Sequence, residues 1–162
     1  MRVTSWIWAG PLAFLVHDAE EVATMVPWLA AHRDVLPRLA QPLATITTRG
    51  FAIGVAVLLV GFVLAAAHSA HQAQRGHRSV IWLAIGGAFV ANGVTHVAQA
   101  AWFGGYVPGL VTALVVSLPY GIGMGRAYRR AGLASTRTLV AAVALGLLLQ
   151  VPLALAALAV SR

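Results

Sequence analysis

The 162-residue chain is 60% hydrophobic and only 9% charged, with a mean hydropathy of +0.84. Soluble domains have about a quarter of their residues charged, so this composition excludes an ordinary soluble domain and predicts an all-α integral membrane helical bundle. The chain has no cysteine, which excludes disulfides, thiolate metal sites and cysteine nucleophiles. Its net charge of +7 comes from arginines that flank apolar segments, and this pattern favours membrane anchoring over nucleic-acid binding.

Apolar stretches along the chain predict about five transmembrane helices, because a bilayer core about 30 Å thick takes about 20 residues of helix. The first stretch, residues 6–16, is too short by itself, so we expect its helix to continue through the acidic residues and to end before Pro27. A signal peptide is rejected because its cleavage region would be acidic. The expected single transmembrane domain, residues 1–162, then has spans at about 6–26, 50–70, 80–103, 108–125 and 138–160.

The connections and prolines add detail to this topology. Residues 27–49 contain three prolines and are expected to form an external loop with room for an interfacial helix. Pro119 interrupts the fourth span and predicts a bend near Leu118. Seven arginines fall on the N-terminal side of a five-helix bundle and four on the other, so the N-terminus is predicted to be cytoplasmic, in the plasma (inner) membrane.

All four acidic side chains lie within residues 18–34, three of them just after His17 in the first span. On a helix Glu20 and Glu21 are three and four residues from His17, so both carboxylates flank the imidazole on one face. Asp18 lies about 100° further round the helix and is not expected to join them. Since an ionised carboxylate near the membrane centre costs about 2.5 to 3.5 kcal/mol, two adjacent ones need a compensating cation, a shared proton or water.

The third span carries polar residues that can meet this cluster. Asn92 and His96 are one helical turn apart, with Gln99 a further turn along the same stripe, and the five-helix topology puts this stripe at the depth of the acids. Two imidazoles and two carboxylates suit a divalent metal such as Zn, Fe or Mn, with Asn92 as a further ligand or an orienting group. The candidate metal ligands are His17, Glu20, Glu21 and His96. The candidates for a secondary pocket beside them are Gln99, Tyr106, Thr112 and Tyr120.

Three segments resemble, in order, the motifs of the HxxEE family of small integral membrane proteins of undefined function: His17-x-x-Glu20-Glu21, Asn92-x-x-x-His96 and Tyr106-x-Pro108-Gly109-x-x-Thr112. The resemblance covers roughly residues 10–125 and leaves the last span outside the motifs. It implies that the motif positions form a shared site in the membrane. It supplies no reaction, and the metal is an inference from the side chains alone.

Simpler explanations remain open for several of these residues. The acids could mark a helix end in water, and Asn92 and His96 could only bond helices together. The Tyr106 segment could be a turn and nothing more. Three histidines at the cytoplasmic end of the second span are most simply solvated, although a metal cluster or a pH sensor would use the same side chains: His68, His71 and His77.

The residues favour an intramembrane enzyme that acts on a lipid or isoprenoid-like apolar substrate, with the catalytic candidates His17, Glu20, Glu21, Asn92 and His96. With a metal, the site could activate water for hydrolysis or bind oxygen. Without one, two carboxylates could share a proton and serve isomerisation or cyclisation. The alternatives are a small proton- or ion-coupled transporter and a metal- or haem-binding subunit of a larger complex. The expected partners are membrane lipid and the substrate, and a homo-oligomer would supply the inverted repeat that one chain lacks.

Overall fold

The chain folds into long helices, as the composition predicts. The computed structural model describes residues 2–38 and 40–160, and within these ranges it has no β-strand. Two short 3-10 segments, Arg33–Val35 and Gln41–Thr45, lie in the connection between the first two helices. The helices are α1 (Val3–Ala31), α2 (Thr48–Gln74), α3 (Val80–Phe103), α4 (Leu110–Arg130) and α5 (Thr136–Val160). The expected all-α fold class is confirmed.

Three helices, α2, α3 and α4, are each long and apolar enough to cross a membrane. Helix α1 is longer still, at 29 residues, but it carries three of the four acids. Helix α5 contributes a shorter apolar stretch, Thr136–Gln150. The chain therefore has membrane helices, in agreement with its composition.

The first helix is longer than predicted. It begins at Val3 and continues through Pro27 to Ala31, so the expected end before Pro27 is wrong. Pro27 removes one backbone donor, but tertiary contacts hold the last turn. Leu29 is buried, and the Trp28 indole donates a hydrogen bond to the carbonyl oxygen of Tyr106 at 2.8 Å. The acidic residues consequently lie near the middle of a long helix and not at its end.

The bundle has a filled half and a hollow half. Helix α1 packs against α2 and α4, α3 packs against α4 and α5, and α2 meets α5. Between α1, α3 and α4, at the end of the bundle where α1 begins, four large side chains are fully buried: Ile7, Trp82, Met124 and Tyr128. In the other half, α1, α2, α3 and α5 line a cavity. The polar residues of the motifs lie in this hollow half.

Helices α3 and α5 approach each other closely at glycines. A Cβ atom at Gly87 would strike the carbonyl oxygen of Ala142, and one at Gly146 would lie 2.6 Å from the Cα atom of Ala88. Small residues let membrane helices pack backbone against backbone. This contact fixes α5 against α3, with Gln150 on the wall of the cavity.

Helix α4 is irregular next to its proline. Residues Ala113–Ser117 form a π turn immediately before Leu118 and Pro119. Pro119 has no N–H for the carbonyl oxygen four residues earlier, that of Val115, whereas a π turn uses the donor five residues further on. The irregularity predicted near Leu118 therefore takes the form of a widened turn just before it.

Candidate functional site

A cavity of about 620 Å³ lies between α1, α2, α3 and α5. Its size is within the usual range of small-molecule pockets. The connection between α1 and α2 covers part of it, through side chains such as Leu36 and Leu43. Most of the lining is aliphatic or aromatic, including Phe14, Phe51, Phe62, Phe89, Trp102 and Phe103. The polar part of the lining is His17, Asp18, Glu21, Asn92, Thr95, His96, Gln99 and Gln150.

Three potential metal ligands converge on one wall of this cavity. The Oε1 atom of Glu21 lies 3.2 Å from Nε2 of His96 and 3.8 Å from Nε2 of His17. One ligand atom from each of these residues lies within 4.8 Å of the other two. Both imidazoles are buried, with 3% of His17 and 5% of His96 exposed. The structure thus brings α1 and α3 together at the side chains that the sequence singled out.

Glu20 turns away from this cluster and binds the start of α4. One carboxylate oxygen accepts hydrogen bonds from the Tyr106 hydroxyl at 2.7 Å and the Val111 N–H at 3.3 Å. The other accepts from the N–H and the hydroxyl of Thr112, at 2.7 and 2.6 Å. Val111 and Thr112 lie in the first turn of α4, where backbone N–H groups lack an acceptor within the helix. Glu20 therefore caps α4, and the expectation that it ligates a metal beside Glu21 is corrected.

The hydrogen bonds around Glu20 fix the tautomer of His17. An ionised carboxylate can only accept, so the Thr112 hydroxyl donates its proton to Glu20. The Nδ1 atom of His17 lies 3.0 Å from that hydroxyl oxygen and must be the donor. Its Nε2 atom then carries the lone pair, on the side of Glu21. A hydrogen-bonded far nitrogen of this kind is the usual support of an imidazole that binds a metal.

Asn92 is the nearest polar neighbour of the His17 lone pair. Its Nδ2 atom lies 2.6 Å from Nε2 of His17, which bonds α3 to α1. This contact gives Asn92 the helix-bonding role that was considered for it, and it also places the amide beside the candidate ligands. In the adjacent imidazole, Nδ1 of His96 is buried and has no hydrogen-bond partner among the described residues. His96 thus keeps an unused nitrogen inside the site.

The segment from Tyr106 to Gly109 lies directly against the cluster. Gly109 has a φ of +80°, a backbone conformation that favours glycine. A Cβ atom at this position would lie 2.8 Å from Cε1 of His96 and 2.9 Å from Cγ of Glu21. The same glycine therefore makes the turn and leaves room for the side chains of His96 and Glu21.

Three of the four residues expected in a secondary pocket lie at or near the cluster. Tyr106 and Thr112 bind Glu20, and the Tyr106 hydroxyl is also 3.2 Å from Oγ1 of Thr24. Burial, with a smaller contribution from Glu20, raises the pKa of Tyr106, which keeps its hydroxyl a donor at neutral pH. Gln99 is exposed on the cavity wall.

Tyr120 does not join this pocket. Its hydroxyl donates to the carbonyl oxygen of Trp6 at 3.0 Å and accepts from the Trp82 indole at 3.2 Å, in the filled half of the bundle. The expectation assumed a regular helix from Thr112 to Tyr120. The π turn between them adds a residue to one turn and rotates everything that follows.

Two residues of the cavity wall were not expected from the sequence. Asp18 is only 8% exposed and lines the cavity, because the cavity is broad enough to reach beyond the face of His17 and Glu21. Gln150 accepts a hydrogen bond from Thr95 at 2.9 Å, and its Nε2 atom is buried without a partner among the described residues. The sequence feature that could have indicated a role for Gln150 is its position as an isolated polar residue in an apolar run.

The three histidines near the end of α2 are exposed and lie apart from the cluster: His68, His71 and His77. In the described part of the chain, the one group of three potential metal ligands is His17, Glu21 and His96. The simple interpretation of the α2 histidines as solvated side chains agrees with their exposure.

Fold and site define a helical membrane protein with a buried His/Glu cluster in the wall of an apolar cavity. A family model described as "Protein of unknown function with HXXEE motif" matches residues 8–124. The chain therefore belongs to the HXXEE family, as its three motifs indicated. No curated protein and no solved structure matches it.

Proposed function

We propose that the protein is an intramembrane enzyme, dependent on a divalent metal, that acts on a lipid or isoprenoid-like substrate. The observation that carries the proposal is the convergence of His17, Glu21 and His96 on the wall of a largely apolar cavity. Ionisable residues inside a membrane are costly and are functional candidates by default. Several potential ligands in a pocket of ligand size are the arrangement expected of a catalytic site.

The spacing of the three side chains suits one metal ion such as Zn, Fe or Mn. Ligand atoms about 2.0 to 2.2 Å from a tetrahedral ion lie about 3.3 to 3.6 Å from each other. The Glu21 oxygen is 3.2 and 3.8 Å from the two imidazole nitrogens, which is close to that spacing. Asn92 contacts the His17 lone pair, so this contact must open when a metal binds. Three protein ligands would leave a position for water or substrate, as catalytic sites require.

The residues around the cluster have separate tasks in this proposal. A bound metal supplies Lewis acidity, or oxygen binding if it is iron. Glu20 and Thr112 hold His17 in the tautomer whose Nε2 lone pair faces the cluster. Asn92 orients His17 or an oxygen atom of the substrate. The aromatic lining excludes water and accommodates the apolar part of the substrate.

The charge of the cavity narrows the substrate class. Its lining includes the acidic side chains of Asp18 and Glu21 and no arginine, so it offers no guanidinium group to pair with a phosphate or a carboxylate. The buried Nε2 atom of Gln150 offers one neutral donor, which suits a carbonyl or hydroxyl oxygen. The favoured substrate is therefore a neutral and largely apolar molecule that bears an oxygen atom.

A metal-free acid and base is the second candidate chemistry. The distance of 3.2 Å between Glu21 Oε1 and His96 Nε2 favours it, because a carboxyl group and an imidazole this close together are suited to proton transfer. Such a pair could donate and withdraw protons in an isomerisation or cyclisation of the same apolar substrate.

A transporter or a haem-binding subunit is less well supported. Transport needs access to the site from both sides of the membrane, whereas the half of the bundle around Ile7, Trp82 and Tyr128 is filled with buried side chains. The cluster offers two imidazoles, but His17 Nε2 and His96 Nε2 both lie near the same carboxylate oxygen and do not face each other across a flat cofactor.

Metal content tests the proposed site directly. The purified protein should contain about one metal ion per chain by elemental mass spectrometry, because three ligands converge at one point. His17→Ala and His96→Ala should each lose it. His68→Ala, which removes an exposed histidine elsewhere, should keep it. A wild-type protein without stoichiometric metal would reject the metal site and leave the acid and base chemistry.

Catalysis itself is tested by the lipids of producing cells. Extracts from cells that produce the wild type should differ from extracts with His96→Ala in at least one neutral lipid, seen by untargeted mass spectrometry. The His68→Ala variant should match the wild type. Identical neutral lipid profiles for wild type and His96→Ala in the native host would contradict an enzyme that acts on such substrates.

We also propose that the protein resides in the plasma (inner) membrane with its N-terminus in the cytoplasm. The support is the arginine distribution, seven on the side where α1 begins and four on the other. In this orientation the cavity lies in the outer half of the bilayer.

A further inference from the structure

A second cavity, of about 650 Å³, lies at the surface of the filled half, among exposed side chains at the opposite end of the bundle from the candidate site. It is formed by the beginning of α1 and the last part of α4, and three arginines line it: Arg2, Arg126 and Arg130. Trp6 and Gly123 form part of its wall, where a Cβ atom on the glycine would strike the indole ring. We call this cavity the arginine pocket.

The arginine pocket has no acidic side chain within reach. The four acids of the chain all lie within residues 18–34. Asp18 is twelve residues after Trp6 in α1, which corresponds to about 18 Å along the helix axis. The salt bridges between described residues involve histidines and Glu21 alone. Three positive charges thus surround a hollow without a carboxylate to balance them.

The beginning of α1 adds to this positive field. The helix starts at Val3, which lines the pocket, and no side chain caps it. The first N–H groups of a helix lack acceptors within it, and its dipole makes this end attractive to anions. Arg126 and Arg130 are four residues apart in α4 and so share a face. The beginning of α1 and the last part of α4 therefore both contribute hydrogen-bond donors to the lining of the pocket.

We propose that the arginine pocket binds the phosphate of an anionic membrane phospholipid. Arginine pairs with phosphate oxygens through two parallel hydrogen bonds, and three arginines around a hollow suit one phosphodiester. The pocket lies where α1 begins and α4 ends, which in a bundle that spans the membrane corresponds to the headgroup level, and Trp6 gives it an amphipathic wall. The proposal is independent of any catalytic role for the His/Glu cluster, because the two sites occupy opposite halves of the bundle.

Native mass spectrometry of the detergent-solubilised protein can test this proposal. Wild type should retain phosphatidylglycerol in preference to phosphatidylcholine. Each arginine lost should weaken retention about fivefold, so Arg126→Ala with Arg130→Ala should reduce it more than tenfold. Arg129→Ala is the matched control, since it removes the same charge from the same helix outside the pocket, and it should leave retention unchanged. A double variant with lysine at positions 126 and 130 keeps the charge and should recover only part of the binding.

Three results would overturn the proposal. Equal loss in Arg129→Ala and in the double alanine variant would mean that general positive charge, and not the pocket, attracts the lipid. Equal retention of phosphatidylglycerol and phosphatidylcholine by wild type would exclude an anionic headgroup. Displacement of phosphatidylglycerol by millimolar inorganic phosphate, with phosphate bound in its place, would identify free phosphate as the ligand.

Discussion

Glu20 and Glu21 are adjacent in sequence, but their side chains contact different parts of the structure. Glu21 approaches two imidazoles, while Glu20 accepts four hydrogen bonds from residues 106–112. Glu20→Ala should lower the free energy of unfolding by about 1 to 3 kcal/mol, because it leaves the donors at the start of α4 without acceptors. Unfolding of the detergent-solubilised protein by SDS titration measures this loss.

Asp34→Ala is the matched control for this prediction. Asp34 is an exposed acid outside the bundle, so its loss should change stability by no more than about 0.5 kcal/mol. Metal content gives a second contrast, since Glu20→Gln should keep a bound metal and Glu21→Gln should lose it. If Glu20→Ala is as stable as Asp34→Ala, the capping role is wrong.

Much of the cluster was predictable residue by residue, because helical spacing alone places His17 beside Glu21 and Asn92 beside His96. The separation of the two glutamates was not predictable in this way. Both spacings, three and four residues, put a carboxylate next to His17. The two glutamates are distinguished by Thr112, a residue 92 positions from Glu20. Its N–H and hydroxyl donate hydrogen bonds to Glu20 and not to Glu21.

At the scale of helices, the contact between α3 and α5 is the point most sensitive to side-chain size. Gly87→Val should destabilise the protein by about 1 to 3 kcal/mol, because the added atoms strike the backbone of α5 at Ala142. Gly61→Val is the matched control, since a Cβ atom at Gly61 has nothing within 4 Å. Thermal unfolding in detergent compares the two, and equal melting temperatures would show that the helices are not in close contact.

The presence of the helices was easier to predict than their exact ends and irregular turns. The apolar runs of α2 to α4 are long and continuous, so their positions follow from hydropathy. The extension of α1 past Pro27 depends on the bond between Trp28 and Tyr106, which no local pattern contains. The position of Tyr120 in the filled half depends on a π turn. One widened turn changes which face of α4 the later residues occupy, so helical periodicity counted from Thr112 places Tyr120 wrongly.

For the whole molecule, the proposed topology puts the connection between α1 and α2 outside and that between α2 and α3 inside. The chain has no cysteine, so Thr45→Cys and His77→Cys each create one labelling site, and both positions are exposed. In intact cells an impermeant maleimide should label Thr45→Cys, whereas His77→Cys should react only after the membrane is opened. The reverse pattern would invert the orientation, and labelling of both would contradict a crossing by α2.

The division of the bundle into a filled and a hollow half could be anticipated only in part. Composition indicated a membrane bundle, and the clustering of all acids in residues 18–34 indicated that its two ends differ. The volume of the cavity could not be anticipated, because it depends on how far α1 and α2 stand from α3 and α5. Packing at Gly87 and Gly146, outside the motifs, fixes only how closely α3 and α5 approach each other.

During biosynthesis, the hydrogen bonds of Glu20 can form only after most of the chain has been made. The ribosome makes Glu20 86 residues before Tyr106 and 92 before Thr112, so α1, α2 and α3 are complete while this carboxylate still lacks its donors. A nascent chain that stops at that stage carries an uncompensated acid at membrane depth, a costly state. The finished chain differs from an arrested one in having all four of these donors on the Glu20 carboxylate.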